Sequence, residues 1–375
     1  MLSATLAMVR KDLLATRRHP LFLVISVLVP VAFVFLYALI VQAATTIPLA
    51  VAQESHGPYS DRFVQTLQTM RSEDGKAWEL HRMSPDKAAA AYRSGDVVGM
   101  LRIPASFDRD AAAGRAQVQL SVLNINSDIS KNYQLRVEHA INAMHTQADP
   151  AHSVQIQEHP RWARDMSFSR YMGAGLLMFA IIYAAMVNTG NLVAREWEER
   201  TAKNVVLSPR GLMPLILGKW LTMFVQTVVS VALVVIALKF ALHYPISRLG
   251  PATWGPIAML VLYGAAFGVL LGTALRRSLV LVPVAAVLTL LHFLLVGFES
   301  YMRGYAHGGL VEVLWQSTRW WPVAAVTDQI RFAVEGLRPV QTIPQYMLWM
   351  AVLVVVLTAA AVRVLRTRLR FTQGQ

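Results

Sequence analysis

The sequence predicts an α-helical integral membrane protein with six transmembrane helices and an α/β extracytoplasmic domain inserted between helices 1 and 2. Three observations carry that prediction. The chain of 375 residues is 55% hydrophobic with a mean hydropathy of +0.43. Apolar runs recur at the length needed to cross a hydrocarbon core of about 30 Å. The lysines and arginines alternate between dense and balanced segments in step with those runs.

Residues 1–20 read as a short basic helix, with Leu6, Val9, Leu13 and Leu14 set against Arg10, Lys11, Arg17 and Arg18. Such a helix can lie in the membrane interface with its cations toward anionic headgroups, or serve only as a positive flank to the first span. The spans follow at 21–44, 171–194, 212–242, 257–275, 278–298 and 345–365, and Pro30 and Pro283 inside them favour kinks. The polar insert, 45–170, holds strand-like runs at Ile47–Ala52, Val97–Ile103 and Val118–Leu123, with helical spacing at Tyr59–Met70, Pro85–Arg93 and Ser130–His145. Turns fall at Ile103-Pro104 and Asn124–Ser127. Segment 299–344 reads as an outer re-entrant or interfacial stretch in which Asp328–Gly336 is a helix ending at glycine. A tail, 366–375, closes the chain.

Charge sets the expected orientation. The segments before the first span, at 195–211 and Lys219, at Arg276-Arg277 and from Arg363 onward hold fifteen cations against four acids. That side therefore carries +11 of the formal +13, whereas the insert balances at fourteen of each sign. Both termini and the 195–211 loop are expected in the cytoplasm and the insert outside. The positive charge is thus accounted for by topology, which removes the motive for a nucleic-acid reading. Trp315, Trp320 and Trp321 suit the outer interface, and Trp197 and Trp220 the inner one.

Residues Arg195–Pro209 stand out as charged sequence between two spans. A helix over Arg195–Leu207, stopped by Pro209, would align Trp197, Thr201 and Val205 and pair Glu199 with Lys203. An apolar edge on a charged helix is suited to a groove on a soluble partner. Inside the spans, Gly264, Gly268 and Gly272 permit close helix approach, used for packing within the bundle or for a dimer seam. Asn188, Gln226 and His292 are isolated intramembrane polar points, and His292 suits either function or a bond to neighbouring backbone.

No catalytic constellation is evident. Gly218-Lys219 is followed by Trp220 where a phosphate loop requires Ser or Thr. The insert's histidines lack metal-ligand spacing, and the chain has no cysteine. The expectation is a chain that is not an enzyme and binds no cofactor of its own.

The pattern resembles the ABC transporter type-2 permease family, in its bacterial efflux branch with a large outer domain. That family ends its second span in R-E-x-E-x-G-T-x-E-x-L, then a Thr/Ser-Pro pair and Gly-Lys. Arg195, Glu196, Glu198, Thr201, Ser208-Pro209 and Gly218-Lys219 match, whereas Arg200 stands for the glycine, Lys203 for the second glutamate and Val205 for the leucine. Ile103-Pro104 with Phe107, and Pro322, Arg331 and Gly336, match further family patterns. The resemblance implies ATP-driven export of a small amphiphilic or drug-like substrate. It also implies a second permease as homo- or heterodimer, and cytoplasmic subunits that bind ATP and Mg, with room for a periplasmic adaptor. It makes Arg195–Thr201, Lys203, Val205 and Pro209 the ATPase-coupling segment. A ligand-sensing receptor or an envelope scaffold is the competing reading, and it needs no ATPase partner.

Overall fold

The computed structural model describes residues 2–72, 75–94, 96–97, 99–122, 127–148, 167–201, 213–300, 309–337 and 343–371. Lys203, Val205, Pro209 and most of the turn at Asn124–Ser127 lie outside these residues. The chain divides into two compact units, Met1–Ala38 with Ser169–Gln375, and Leu39–Phe168.

The first unit is helical. It contains α1 (Leu2–Arg18), most of α2 (Leu21–Thr45), α7 (Phe168–Glu198), α8 (Met213–Leu242), α9 (Pro251–Leu275) and α10 (Ser278–Ser300). It ends with α11 (Gly309–Arg319), α12 (Pro322–Glu335) and α13 (Ile343–Phe371). Six of these helices, α2, α7, α8, α9, α10 and α13, are long and apolar enough to cross a membrane. They differ in burial. The apolar window of α7 is wholly buried within the chain, whereas that of α2 is 17% buried and that of α13 22%. The bundle is therefore organised around α7, and the peripheral helices leave their outer faces to lipid.

Small residues let α7 sit at the centre. On α9, a Cβ at Gly268 would stand 2.6 Å from the Met186 carbonyl, and one at Gly272 would stand 2.5 Å from the Gly190 carbonyl. At Gly264 it would meet Ala185 at 2.9 Å. The glycine face of α9 is thus spent against α7 of the same chain, backbone on backbone. It is not free to form a dimer seam, which corrects the second use the sequence left open. Nearer the start of α7, Phe33 of α2 stacks on Phe179 at 4.7 Å between ring centroids.

The second unit contains a sheet in the order β4-β1-β5-β6, built from β1 (Ile47–Gln53), β4 (Trp78–Arg82), β5 (Gly99–Ile103) and β6 (Gln119–Val122). The first three strands are parallel, with Leu49 level with Leu80 and Gly99, and β6 runs antiparallel to β5. A two-residue pair, β2 (Arg71–Ser72) and β3 (Gly75–Lys76), leads into β4. Alternation along β1 divides the core. Leu49 and Val51 pack with Phe63, Leu67 and Phe107 from α3 (Pro58–Thr69) and α5 (Phe107–Ala112), and with Tyr133 from α6 (Ser127–Ala148). Ala50 and Ala52 face Ala88 of α4 (Pro85–Ser94). Both faces of β1 are covered, as a parallel strand requires. Sequence reading missed β4, whose Trp-Glu-Leu-His-Arg run is half polar; it is a strand because β1 supplies its hydrogen bonds.

The start of α3 is closed by a carboxylate from elsewhere in the chain. Asp108 accepts hydrogen bonds from Ser55 Oγ at 2.6 Å, Tyr59 N at 2.7 Å and Ser60 N at 3.3 Å. Gly57 N donates to it at 3.2 Å, and a Cβ at Gly57 would stand 2.4 Å from the carboxyl carbon, so only glycine admits this approach. Burial raises the affinity of Asp108 for a proton. The hydrogen bonds from the Ser55 and Ser60 hydroxyls and the Tyr59 and Ser60 amides outweigh it, together with the favourable end of the helix dipole, and hold the carboxyl at about 2. A depressed carboxyl stabilises the fold above its unfolded value of 3.8, and that contribution is lost as pH falls through about 2. Asp108→Ala should cost about 1 kcal/mol, read as faster hydrogen exchange in the first turn of α3 of the full chain. Asp108→Asn should remove the acid dependence of that exchange between pH 4 and 2.

Candidate functional site: a charged hub at the end of the central helix

The last turn of α7 gathers four other helices. Glu196 Oε1 accepts from Lys219 Nζ of α8 at 2.6 Å and from Lys11 Nζ of α1 at 2.9 Å. Its Oε2 accepts from the Thr201 hydroxyl. Lys219 also pairs with Asp12 of α1 at 3.0 Å. The side chains of Lys219, Asp12 and Glu196 are only 3%, 5% and 6% exposed, so the pairs are out of water; Lys11, at 43%, closes the rim. Two ammonium groups face two carboxylates, and the cluster is neutral as a whole. Burial pushes the Asp12 carboxyl up, with Lys219 pulling it back down.

Gly218 explains why a lysine is available there. A Cβ at Gly218 would stand 2.8 Å from Met8 Cβ and 3.3 Å from the Thr5 carbonyl. The missing side chain admits α1, and the next residue supplies the cation that α1 needs. Further along the same interface Gln226 Nε2 donates to Thr16 Oγ1 at 2.7 Å, and Ser26 and Ser230 hydroxyls meet at 2.8 Å.

The residues after Glu196 hold the junction between α9 and α10. Glu198 Oε1 accepts from Ser278 N at 2.7 Å and its Oε2 from Ser278 Oγ at 2.9 Å, capping the start of α10. Arg276 ends α9 in the left-handed region, φ 55°, with its guanidinium 6.0 Å from the Trp197 ring centroid. Trp197 is half-buried and packs on the cluster of Val193, Val269 and Ala361, beside Trp220. Arg195 bonds Glu199 at 2.6 Å, one turn on.

These contacts change the reading of the charged segment. The helix stops at Glu198, and Glu199–Thr201 form a turn, so the expected helix over Arg195–Leu207 does not continue through Thr201. Glu199 pairs with Arg195; the expected Glu199–Lys203 pair involves a residue outside the described ones. Trp197 and Thr201 do not form a common outward edge, because Trp197 packs on the bundle and Thr201 turns back to Glu196. Of the seven residues Arg195–Thr201, Glu198, Glu199 and Arg200 are exposed, and Glu198 is already engaged with Ser278. Arg200 has φ 57°, the left-handed conformation that glycine adopts without strain. The glycine of the resembling pattern is thus a helix-end residue, and Arg200 fills the same backbone conformation at a steric cost.

The other end of α7 is also held by charge. Arg170 NH1 lies 3.2 Å from Glu335 Oε2, and Arg248 NH1 lies 3.6 Å from the same oxygen. Arg331 pairs with Asp328, donates to the Tyr171 carbonyl at 3.3 Å and lies 3.6 Å over the Tyr171 ring. Asp328, Arg331 and Glu335 share the buried face of α12, which Gly336 terminates at φ 68°. The intramembrane polar points are spent on helix contacts. Asn188 reaches Thr227 at 3.5 Å and Gln226 reaches Thr16. His292 bonds the Tyr263 hydroxyl and the Leu288 carbonyl, each at 2.7 Å. Sequence reading missed Lys11, Asp12 and Lys219 as site residues. The signal available was an acid among the cations of the first helix and a lysine inside an apolar run.

No group of three or more metal-binding side chains occurs among the described residues. The hub joins α1, α7 and α8 through buried ion pairs. Removing one partner of a buried pair costs about 3 kcal/mol or more. Glu196→Gln and Lys219→Met should each lower the thermal midpoint of the purified chain sharply. Asp12→Asn should cost less, since Lys219 keeps its second carboxylate partner, Glu196. Arg200→Gly should raise stability by about 1 kcal/mol by relieving the left-handed arginine; a drop would show that Arg200 makes a compensating contact.

Neither a curated relative nor a solved structure matches the chain. A family model described as ABC-2 family transporter protein matches residues 20–363, from the start of the first span almost to the end of the last helix. The chain is a multi-pass membrane protein and belongs to the ABC-2 transporter family.

Proposed function

We propose that the protein is the permease subunit of an ATP-driven exporter of small amphiphilic molecules, working as a dimer with two ATP-binding subunits. Family membership supports the permease assignment, and a permease of this kind works in a membrane complex with ATP-binding subunits. The observation that carries the coupling role is the hub. One helix end, Arg195–Thr201, is bonded to α1, α8 and the α9–α10 junction at once. A push delivered there reaches most of the bundle without passing through a flexible link.

In this reading the Glu196 end of α7 is cytoplasmic, in keeping with the cation excess there, and the sheet domain is periplasmic. ATP and Mg are bound by the partner subunits. ATP-driven closure of those subunits displaces the segment beginning at Arg195, and α7 transmits the movement to the Glu335 end. The exposed Glu199 and Arg200, with Lys203, Val205 and Pro209 beyond them, are the surface a partner touches. Glu196, Trp197 and Glu198 act behind it, as the residues through which contact becomes helix movement.

The roles separate experimentally. Co-expressed with its ATP-binding subunit, Glu199→Gln with Arg200→Glu should weaken co-purification at least tenfold while lowering the thermal midpoint of the permease only slightly, by the loss of the exposed Arg195–Glu199 pair. Trp197→Ala should leave the complex assembled and inserted but uncouple hydrolysis from export in whole cells. Export at the wild-type rate in Trp197→Ala, or retained binding in the double variant, would overturn the coupling assignment.

A further inference from the structure

The sheet domain ends in an open edge. β4 pairs with β1 on one side, and among the described residues no strand lies on its other side. The bonds to β1 show which backbone groups are left. Ile47 N donates to the Ala77 carbonyl at 3.2 Å and Met83 N to the Val51 carbonyl at 3.1 Å. Along a strand, every second residue turns its N–H and C=O to the same neighbour. Ala77, Glu79, His81 and Met83 therefore face β1, and Trp78, Leu80 and Arg82 present their backbone groups at the free edge. The side chains alternate as well. Trp78 and Leu80 lie with the core beneath α3 and α6, and Arg82 reaches Gln68 of α3 at 3.2 Å. Glu79 and His81 stand on the other face, with side chains 64% and 40% exposed.

An edge of this kind is a template for another strand, and sheets commonly blunt it with proline or lysine. Trp78–Arg82 holds neither. Symmetry then selects the occupant. Two copies related by a two-fold axis normal to the sheet meet antiparallel, with facing side chains on one side of the sheet, so the register is centred on a residue. Centring on Leu80 sets Trp78 opposite Arg82 of the second copy and Leu80 opposite Leu80. These are the residues whose backbone groups point outward, so each pair exchanges two hydrogen bonds. In the same register Glu79 falls opposite His81 of the second copy, twice, and no like charges are opposed. Centring on Arg82 would set arginine against arginine, and centring on Trp78 would set Leu80 against Lys76, outside β4. The strand at the other edge, β6, has no charged residue to fix a register. A strand from another protein could take the same backbone bonds, but a second copy supplies the reciprocal Glu79 and His81 by symmetry.

We propose that two copies of the chain join their sheet domains edge to edge through β4, in an antiparallel pair centred on Leu80. The seam rests on the dimer of the proposed exporter and gives that dimer a surface. It is independent of the substrate and of any ATPase contact.

The chain has no cysteine, so single introduced cysteines report contacts without background. Full-length protein is oxidised in native membranes, and the purified chain is sized in nanodiscs by light scattering. Leu80→Cys should form a disulfide-linked dimer, because Cα atoms of a hydrogen-bonded pair lie about 5.5 Å apart, within disulfide range. Co-expressed copies carrying Glu79→Cys and His81→Cys should cross-link at least about fivefold more than Glu79→Cys with itself, which the register holds too far apart. Arg109→Cys on α5, with a side chain 82% exposed, should not cross-link. Glu79→Arg should reduce the Leu80→Cys product about fivefold, and adding His81→Glu should restore it. A dimer by size that gives neither the Leu80→Cys product nor the mixed product would overturn the seam and leave the dimer standing; a monomer by size would overturn both. Equal cross-linking at Arg109→Cys, or a Leu80→Cys product with the mass of a different protein, would also overturn the seam.

Discussion

The pair formed by Glu196 and Lys219 is the contact on which the bundle depends. A buried carboxylate and a buried ammonium attract strongly, but both have lost their water, so the pair adds little net stability over an apolar contact. Its consequence is positional. Once both groups are buried, any movement that separates them exposes an uncompensated charge to an apolar surround. The Asp12 and Lys11 side chains extend the same constraint to α1. α7, α8 and α1 must therefore keep their relative positions at this end or move together. Glu335, with Arg170 and Arg248, imposes a similar constraint at the far end of α7. Between these ends the glycines of α9 press against α7 at backbone distance, which fixes its depth and rotation.

The acidic segment after the second span acquires a different meaning in this setting. A run of glutamates beside a tryptophan reads naturally as a surface for a soluble protein. In the folded chain Glu196 neutralises a buried lysine, Glu198 caps a helix, and Trp197 packs beside Trp220 under an arginine. The residues left facing outward are few and lie at the turn. In the proposed coupling role, recognition and transmission would be separated by only one or two residues, and a substitution in this motif would affect either. Arg200 shows the distinction well. By charge it looks like a change of partner, but by backbone it occupies a left-handed helix end, where any side chain has a steric cost.

The two units of the chain use the same device to close a helix. Asp108 caps α3, and Glu198 caps α10, each from a distant part of the sequence. In both cases a carboxylate meets amide groups that lack a partner within their own helix. The bond therefore joins two elements as well as finishing one. In the sheet unit, Gly57 is absent a side chain so that Asp108 can reach; in the helical unit, Gly218 is absent one so that α1 can reach. These glycines are best understood as spaces for a neighbour.

Much of the architecture was legible in the sequence because it follows from local rules. The lengths of the apolar runs determined six spans, since a membrane imposes the same thickness on each. Short apolar runs at Ile47–Ala52 and Val97–Ile103 marked strands, because a strand buried on both faces needs apolar residues at successive positions. Gly264, Gly268 and Gly272 announced a close helix contact, and the R-E-x-E pattern marked the family segment after the second span, though not where its helix ends. Only the tertiary structure decided what those features meet. Lys11, Asp12 and Lys219 are separated by up to 208 positions, and nothing local distinguishes a lysine that will be buried in a pair from one that reaches for water. The strand at Trp78–Arg82 depended on β1 for its bonds, and Glu198 on the backbone of Ser278. Pattern along the chain records which face is apolar and where a helix can stop; which charge a carboxylate finds depends on helices brought together by folding.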